Sequence, residues 1–365
     1  MRGNPRVRHL WTLTKRTRPV LPRAVVFVQR GAYIEEVPNL SVEVLPGHKR
    51  GLALSNPVMT ASGTFGNGLE YAKIFDIQRL GAIVSKAITL RPRQGNAQPR
   101  IVETAGGMLN SIGLQNIGIE AILRDVAPVW STWRVPVIAN IAGESIPNYA
   151  ELARRLDGAA GVSGIEINVS CPNVENGLEF GSDPRAASDL TYAVRLETDL
   201  PLLVKLGPNV TDIVAIAAAV ADAGADALTL INTFPAMRIN IDARRPELGW
   251  GSGGLSGPAL KPIALRMVYQ VARSLSIPIV GCGGIVSAED AIEFLMAGAT
   301  AVQVGTATFR NPRAPLDLIE SLEDVMRRQE IEDVKEIVGA ALPARRESAT
   351  ADAGRVAVDH PPPRL

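Results

Sequence analysis

Eight short β-branched runs, separated by longer stretches of helical periodicity, limit what this chain can fold into. They lie at 57–62, 81–87, 136–143, 164–170, 201–207, 227–232, 278–284 and 301–307. Each is nearly continuous in apolar residues, the pattern of parallel strands buried on both faces. Eight such strands with intervening helices predict an α/β architecture closed as a (β/α)8 TIM barrel, in preference to an open doubly wound sheet. The helix boundaries agree. Thr211-Asp212 precede IVAIAAAVADAG, which Gly224 stops; Ser287 precedes AEDAIEFLMAG, with Asp290 completing a capping-box pattern and Gly298 ending it.

Two segments depart from the repeat. Residues 41–54 predict a short N-terminal hairpin beneath the barrel, turning at Pro46-Gly47. Residues 89–115 form an insertion too long for an ordinary βα loop, and because it follows a strand it belongs over the C-terminal mouth. The ends differ in composition. Before Glu35 there is no acidic residue but there are eight basic ones, from Arg2 to Arg30, with too short an apolar run at 24–28 for a signal peptide. The expected organisation is a basic disordered extension over 1–37, a catalytic barrel over 38–340 and a disordered tail over 341–365.

Charge and residue counts exclude several classes. A net charge of +1 gives no basic field for nucleic acid. Two cysteines, Cys171 and Cys282, cannot build a disulfide framework or ligate an iron–sulfur cluster. His9, His48 and His360 all lie outside the eight strand runs and the helices between them, so neither a histidine base nor a metal site is expected. The most apolar long stretch, 213–231, is broken by Asp222 and Asp226, so no membrane span and a cytoplasmic location are expected.

The seventh and eighth runs end in Gly281-Cys282-Gly283-Gly284 and Gly305-Thr306, where barrels often hold phosphate on backbone N–H groups. Gly253-Gly254-Leu255-Ser256-Gly257, after the sixth, adds another run of amides. Turns explain any one of these clusters equally well; their pairing favours a phosphate-bearing ligand.

The remaining strand ends carry Ser62, Lys86, Asn140, Asn168, Lys205, Asn232 and Thr233, a set rich in amides and lysines and nearly free of carboxylates. Amides offer a donor and an acceptor each and suit a planar heterocycle with imide edges. A strand-end lysine either pairs with a neighbouring acid or stabilises an anionic ligand. Cys171 opens a polar loop after the fourth strand, where a thiol can exchange protons, although a lone cysteine also fits inert packing. Cys282 lies in a strand-like run and reads as inert.

Together, NVSCPN (168–173), NSIGLQN (110–116), SKAITL (85–90) and GLSGPALKP (254–262) resemble the dihydroorotate dehydrogenase family, in order, from about residue 38 to 340. Cysteine at 171 matches the soluble class 1 enzymes, since class 2 carries serine there. NSIGLQN and AMRINIDAR (236–244) look more like class 1B than class 1A.

The resemblance implies oxidation of (S)-dihydroorotate to orotate in pyrimidine biosynthesis, with one FMN per chain. Cys171 would take the proton from carbon 5, with Lys86 and Lys205 as further catalytic groups. FMN would rest on Ser62, Lys86, Ala87, Asn140, Asn168, Lys205 and Ile231, its phosphate on Gly257, Gly283, Gly284, Gly305 and Thr306. Substrate would meet Lys86, Asn110, Ser111, Ile112, Gly113, Leu114, Asn168, Asn232 and Thr233. Class 1B further implies a partner subunit carrying FAD and a [2Fe–2S] cluster that passes electrons to NAD⁺, around a homodimer core of a heterotetramer. Class 1A, which uses fumarate alone, lacks the same features and stays open. A tRNA dihydrouridine synthase would need a basic surface, a non-redox phosphate-binding barrel would be colourless when purified, and the polar residues at so many strand ends disfavour a non-catalytic binding subunit.

Overall fold

The computed structural model describes residues 37–169 and 180–344. Its centre is eight parallel strands: β1 (Val58–Thr60), β2 (Ile83–Val84), β3 (Val137–Ile141), β4 (Gly164–Asn168), β5 (Leu202–Leu206), β6 (Ala227–Leu230), β7 (Ile279–Cys282) and β8 (Ala301–Val304). They hydrogen-bond in the order β1-β8-β7-β6-β5-β4-β3-β2. A parallel bridge between Met59 and Ala82, with the Thr60 N–H donating to the Ala82 carbonyl at 3.1 Å, joins the two ends. The barrel is closed, as the alternation predicts, and closure leaves no sheet edge to protect.

Every strand falls inside its predicted run but stops short of it, most of all β2, which keeps two residues. The strands are buried along nearly their whole length, and the core runs continuously from the barrel into the helices around it. Those helices begin where the sequence marks them. Asp212 accepts from the N–H groups of Val214 and Ala215 to start α1 (Ile213–Asp222). Ser287 and Asp290 form a reciprocal capping box at the start of α2 (Ala288–Met296), and Gly224 and Gly298 follow the two helices at positive φ.

The hairpin is present, Val42–Glu43 pairing antiparallel with Ala53–Leu54, and the Leu45–His48 turn spans Pro46-Gly47. It lies under the barrel. Lys49 pairs with Asp199 at 2.5 Å and Arg50 with Asp157 at 3.7 Å, acids that precede β5 and β4.

The mouth is covered by a four-stranded antiparallel sheet in the order Phe234–Ala236, Gly253–Ser256, Gly107–Asn110, Ile101–Thr104. The 89–115 insertion is therefore half of a sheet completed by the segment after β6. Gly254 sits opposite Asn110 in that pairing.

The 1–37 extension and the 341–365 tail lie outside the described residues except for residues 37 and 341–344. Among the described residues no helix is long and apolar enough to cross a membrane.

Candidate active site

Beneath the covering sheet, at the C-terminal ends of the strands, lies a cavity of about 340 Å³. The chain leaves each strand here, so side chains and free amides at strand ends face one another across the mouth. Ser62 reaches the cavity from β1, Lys86 and Ala87 from β2, Asn168 from β4 and Lys205 from β5. Ile231, Asn232 and Thr233 follow β6, Gly283 and Gly284 follow β7, and Gly305 and Thr306 follow β8. The covering sheet and its loops add Asn110, Ile112, Gly113, Leu114 and Gly257.

Two expected residues stand elsewhere. Ser111 is fully buried and does not line the cavity; its hydroxyl accepts from Asn96 at 3.1 Å and its N–H donates to the Arg100 carbonyl. As the chain leaves the Gly107–Asn110 strand, Asn110 and Ser111 point to opposite sides, so only one can face a ligand. Asn140 is fully buried in the barrel interior, where its Nδ2 donates to Glu166 at 2.8 Å. Cys171 lies outside the described residues, three positions after Asn168.

The glycine ends are built for close approach. Gly283 and Gly284 have φ of +132° and +77°, and a Cβ at 284 would meet the Lys261 nitrogen at 2.7 Å and the Gly257 oxygen at 2.9 Å. The N–H groups of Gly284, Gly305 and Thr306 donate to no acceptor among the described residues. Thr306 fixes its hydroxyl on Ser256 at 2.7 Å, tying the β8 end to the covering sheet. Such converging amides suit a phosphate.

The two lysines are held differently. Lys86 forms no ion pair among the described residues, and burial, with Arg100 adding repulsion, pushes its pKa down. A half-buried cation without a counter-ion favours an anionic ligand. Lys205 is almost wholly buried; its Nζ donates to Gln303 Oε1 at 3.0 Å and approaches Cys282 Sγ at 3.7 Å. Burial opposes its charge, but Cys282 and Glu166 more than offset this and raise its pKa.

The amide pair is ordered too. Asn232 Nδ2 donates to Asn168 Oδ1 at 3.1 Å, and the Thr233 N–H donates to Asn232 Oδ1 at 2.8 Å. This presents polar groups in a fixed arrangement at the β4 and β6 ends.

Sequence reasoning missed Glu166, Thr229 and Gln303, which form a polar layer below the cavity. Cys282, read as inert, lines the cavity beside Lys205. One signal was visible: a glutamate inside a strand buried on both faces must find partners, since an unpaired buried carboxylate is costly.

The residues present fit FMN. The glycine ends offer amides to its phosphate, and Lys86 and Lys205 offer positive charge. Each of these features is accounted for by a phosphorylated ring system with polar edges.

The family model described as dihydroorotate dehydrogenase matches residues 45–326. The chain is 53% identical over 304 residues to "Dihydroorotate dehydrogenase B (NAD(+)), catalytic subunit" of Geotalea daltonii, covering 83% of this chain and 98% of that one. It is 54% identical over 304 residues to the protein of the same name from Geobacter sulfurreducens, with the same coverage, 83% and 98%. Among solved structures, the dihydroorotate dehydrogenase of Eimeria tenella in complex with ferulenol superposes with a TM-score of 0.69 at 23% identity, covering 86% of this chain and 91% of that one. At that identity the likeness bears on the fold alone. Barrel, cavity and sequence agree: the chain belongs to the dihydroorotate dehydrogenase family.

Proposed function

We propose that this chain oxidises (S)-dihydroorotate to orotate, a step of pyrimidine biosynthesis, as the catalytic subunit of an NAD⁺-dependent enzyme. The observation that carries this reading is convergence: seven strand ends and the covering sheet bring the expected residues, Ser111, Asn140 and the undescribed Cys171 aside, to one cavity. Ser62, Ala87, Asn168, Lys205 and Ile231 would hold the FMN ring, and Gly257, Gly283, Gly284, Gly305 and Thr306 its phosphate. When bound, FMN supplies the acceptor for the hydride that leaves carbon 6 of the substrate.

The chain's own residues do the rest. Cys171 is the base for the carbon 5 proton; Asn168, Asn232, Thr233, Asn110, Ile112, Gly113 and Leu114 orient the substrate, and Lys86 balances its negative charge. Lys205, kept as an ammonium in a dry site, stabilises negative charge that develops near it. The covering sheet lies over the cavity, where shielding from solvent would strengthen each of these interactions.

The name "catalytic subunit" borne by the relatives supports a partner that takes electrons onward. With two cysteines in the whole chain, FAD and a [2Fe–2S] cluster would belong to that partner, around a homodimer core.

The thiol base has a kinetic test. A free thiol titrates near ~8.5, so flavin reduction by dihydroorotate should accelerate as pH rises toward that value. In rapid mixing, Cys171→Ser should keep its flavin and slow reduction at neutral pH by about two orders of magnitude or more, since a positioned base contributes ~10²–10⁴-fold. Reduction at the wild-type rate in Cys171→Ser would remove the cysteine from the mechanism.

A further inference from the structure

The barrel interior below the cavity holds a polar layer that the cavity-lining residues alone do not explain. Glu166, on β4 and fully buried, accepts hydrogen bonds from three other strands. Asn140 Nδ2 on β3 donates to Oε1 at 2.8 Å; Thr229 Oγ1 on β6 and Gln303 Nε2 on β8 donate to Oε2 at 2.8 and 2.6 Å. Gln303 turns its other end to Lys205 on β5, receiving Nζ at 3.0 Å. Well-packed apolar side chains often replace a buried ion at no loss of stability, so bulk stability is a weak reason for a buried ion here.

What the carboxylate does is fix direction. Both its oxygens act as acceptors, so each partner must turn a donor toward it. Gln303, with Nε2 engaged, must show Oε1 to Lys205. Asn140, with Nδ2 engaged, keeps Oδ1 as an acceptor without a donor among the described residues. A single buried group thus sets the sense of two amides in different strands.

It also supplies charge. The titratable groups facing Lys205 from the strands around it are Glu166 and Cys282, with Lys86 lining the same cavity. A Cys282 thiolate would be a second counter-ion, but burial pushes that thiol up against the pull of Lys205. Glu166 is the carboxylate that faces Lys205 alongside Cys282, one glutamine away. A carboxylate in direct contact would occupy a Lys205 donor; the relay balances the charge and leaves the ammonium at the cavity.

We infer that Glu166 is a positioning residue that acts through Gln303 to hold Lys205 as an ammonium facing the cavity, while through Asn140 it fixes the sense of an amide in the layer beneath. The inference rests on the reading that the cavity holds FMN.

The test compares wild type with Glu166→Gln, which keeps the shape but removes the charge and sets a donor among donors. Lys205 is followed by carbon NMR of labelled lysine in flavin-free protein, and the reduction potential of bound flavin is followed across pH in the holoenzyme. In Glu166→Gln, Lys205 should lose its proton at lower pH than in wild type. The flavin potential should gain a pH-dependent step where Lys205 loses its proton, falling above that step, where flavin should also bind about tenfold more weakly, the effect of losing one hydrogen bond to a charged group. Adding Gln303→Glu, which returns a carboxylate beside Lys205, should restore the Lys205 titration. Should Glu166→Gln not fold, Gln303→Met, which breaks the relay and leaves Glu166, should move both readouts in the same direction. Unmoved lysine titration and flavin potential in these variants, whatever their thermal stability, would reduce the layer to a structural role. Wild-type protein without flavin would count against the FMN reading, while an unmoved Lys205 in flavin-free protein would count against Glu166.

Discussion

Cys282 Sγ lies 3.7 Å from Lys205 Nζ, where side chains of β7 and β5 meet at the inner end of the cavity. Because burial raises the thiol, Cys282 should react slowly with iodoacetamide at neutral pH and faster as pH rises. Because it lines the cavity, added FMN should protect it. Peptide mass spectrometry of the alkylated protein reads both effects; equal labelling with and without FMN would place the flavin elsewhere.

Gly284 carries positive φ between the Lys261 nitrogen and the Gly257 oxygen. Gly284→Ala should cost about 1–3 kcal/mol of stability through strain alone. It should also weaken FMN binding by at least about tenfold, because the displaced backbone no longer aims its N–H at the phosphate. Thermal unfolding and fluorescence titration with FMN measure the two separately. Unchanged affinity in a folded variant would remove residue 284 from the phosphate cradle.

The helix behind this cradle depends on an ion pair. Burial works against the Asp290 carboxylate, but Lys261 at 2.7 Å and the N–H groups of Val286 and Ser287 outweigh it and hold its pKa down. The Asp290 hydrogen bond in turn raises Lys261, against a smaller effect of burial and with help from Glu293. A depressed acid stabilises above its unfolded pKa of ~3.9 and loses that contribution as pH falls through the folded value; a raised lysine stabilises below ~10.4 and loses it as pH climbs. Asp290→Asn should therefore destabilise by about 1–2 kcal/mol at neutral pH. The gap from wild type should close in acid below the carboxylate range. Denaturant unfolding at several pH values checks this, and a pH-independent gap would contradict it.

Much of the fold was legible because each strand and helix carries its own local signal. Asp212 and Ser287 cap as expected, and all eight strands lie within their predicted runs. The strands stop early because residues such as Ser62, Lys86 and Thr306 leave the ladder to face the cavity. The covering sheet was not legible: Asn110 and Gly254 pair across 144 residues, and neither segment alternates in a way that names its partner. Glu166 was hidden for a related reason. Its significance lies in Asn140, Thr229 and Gln303, which meet it only once the barrel closes. Ser111 shows the converse, since a motif matched residue by residue does not say which of two adjacent side chains turns inward.

The central claim is that this cavity, loaded with FMN, oxidises dihydroorotate. Its most direct test is the visible spectrum of the purified chain after anaerobic addition of (S)-dihydroorotate, with orotate measured in the same sample. The protein should be yellow, and its flavin absorbance should bleach as orotate appears in equal amount. A flavin that stays oxidised, with no orotate formed, would contradict that claim.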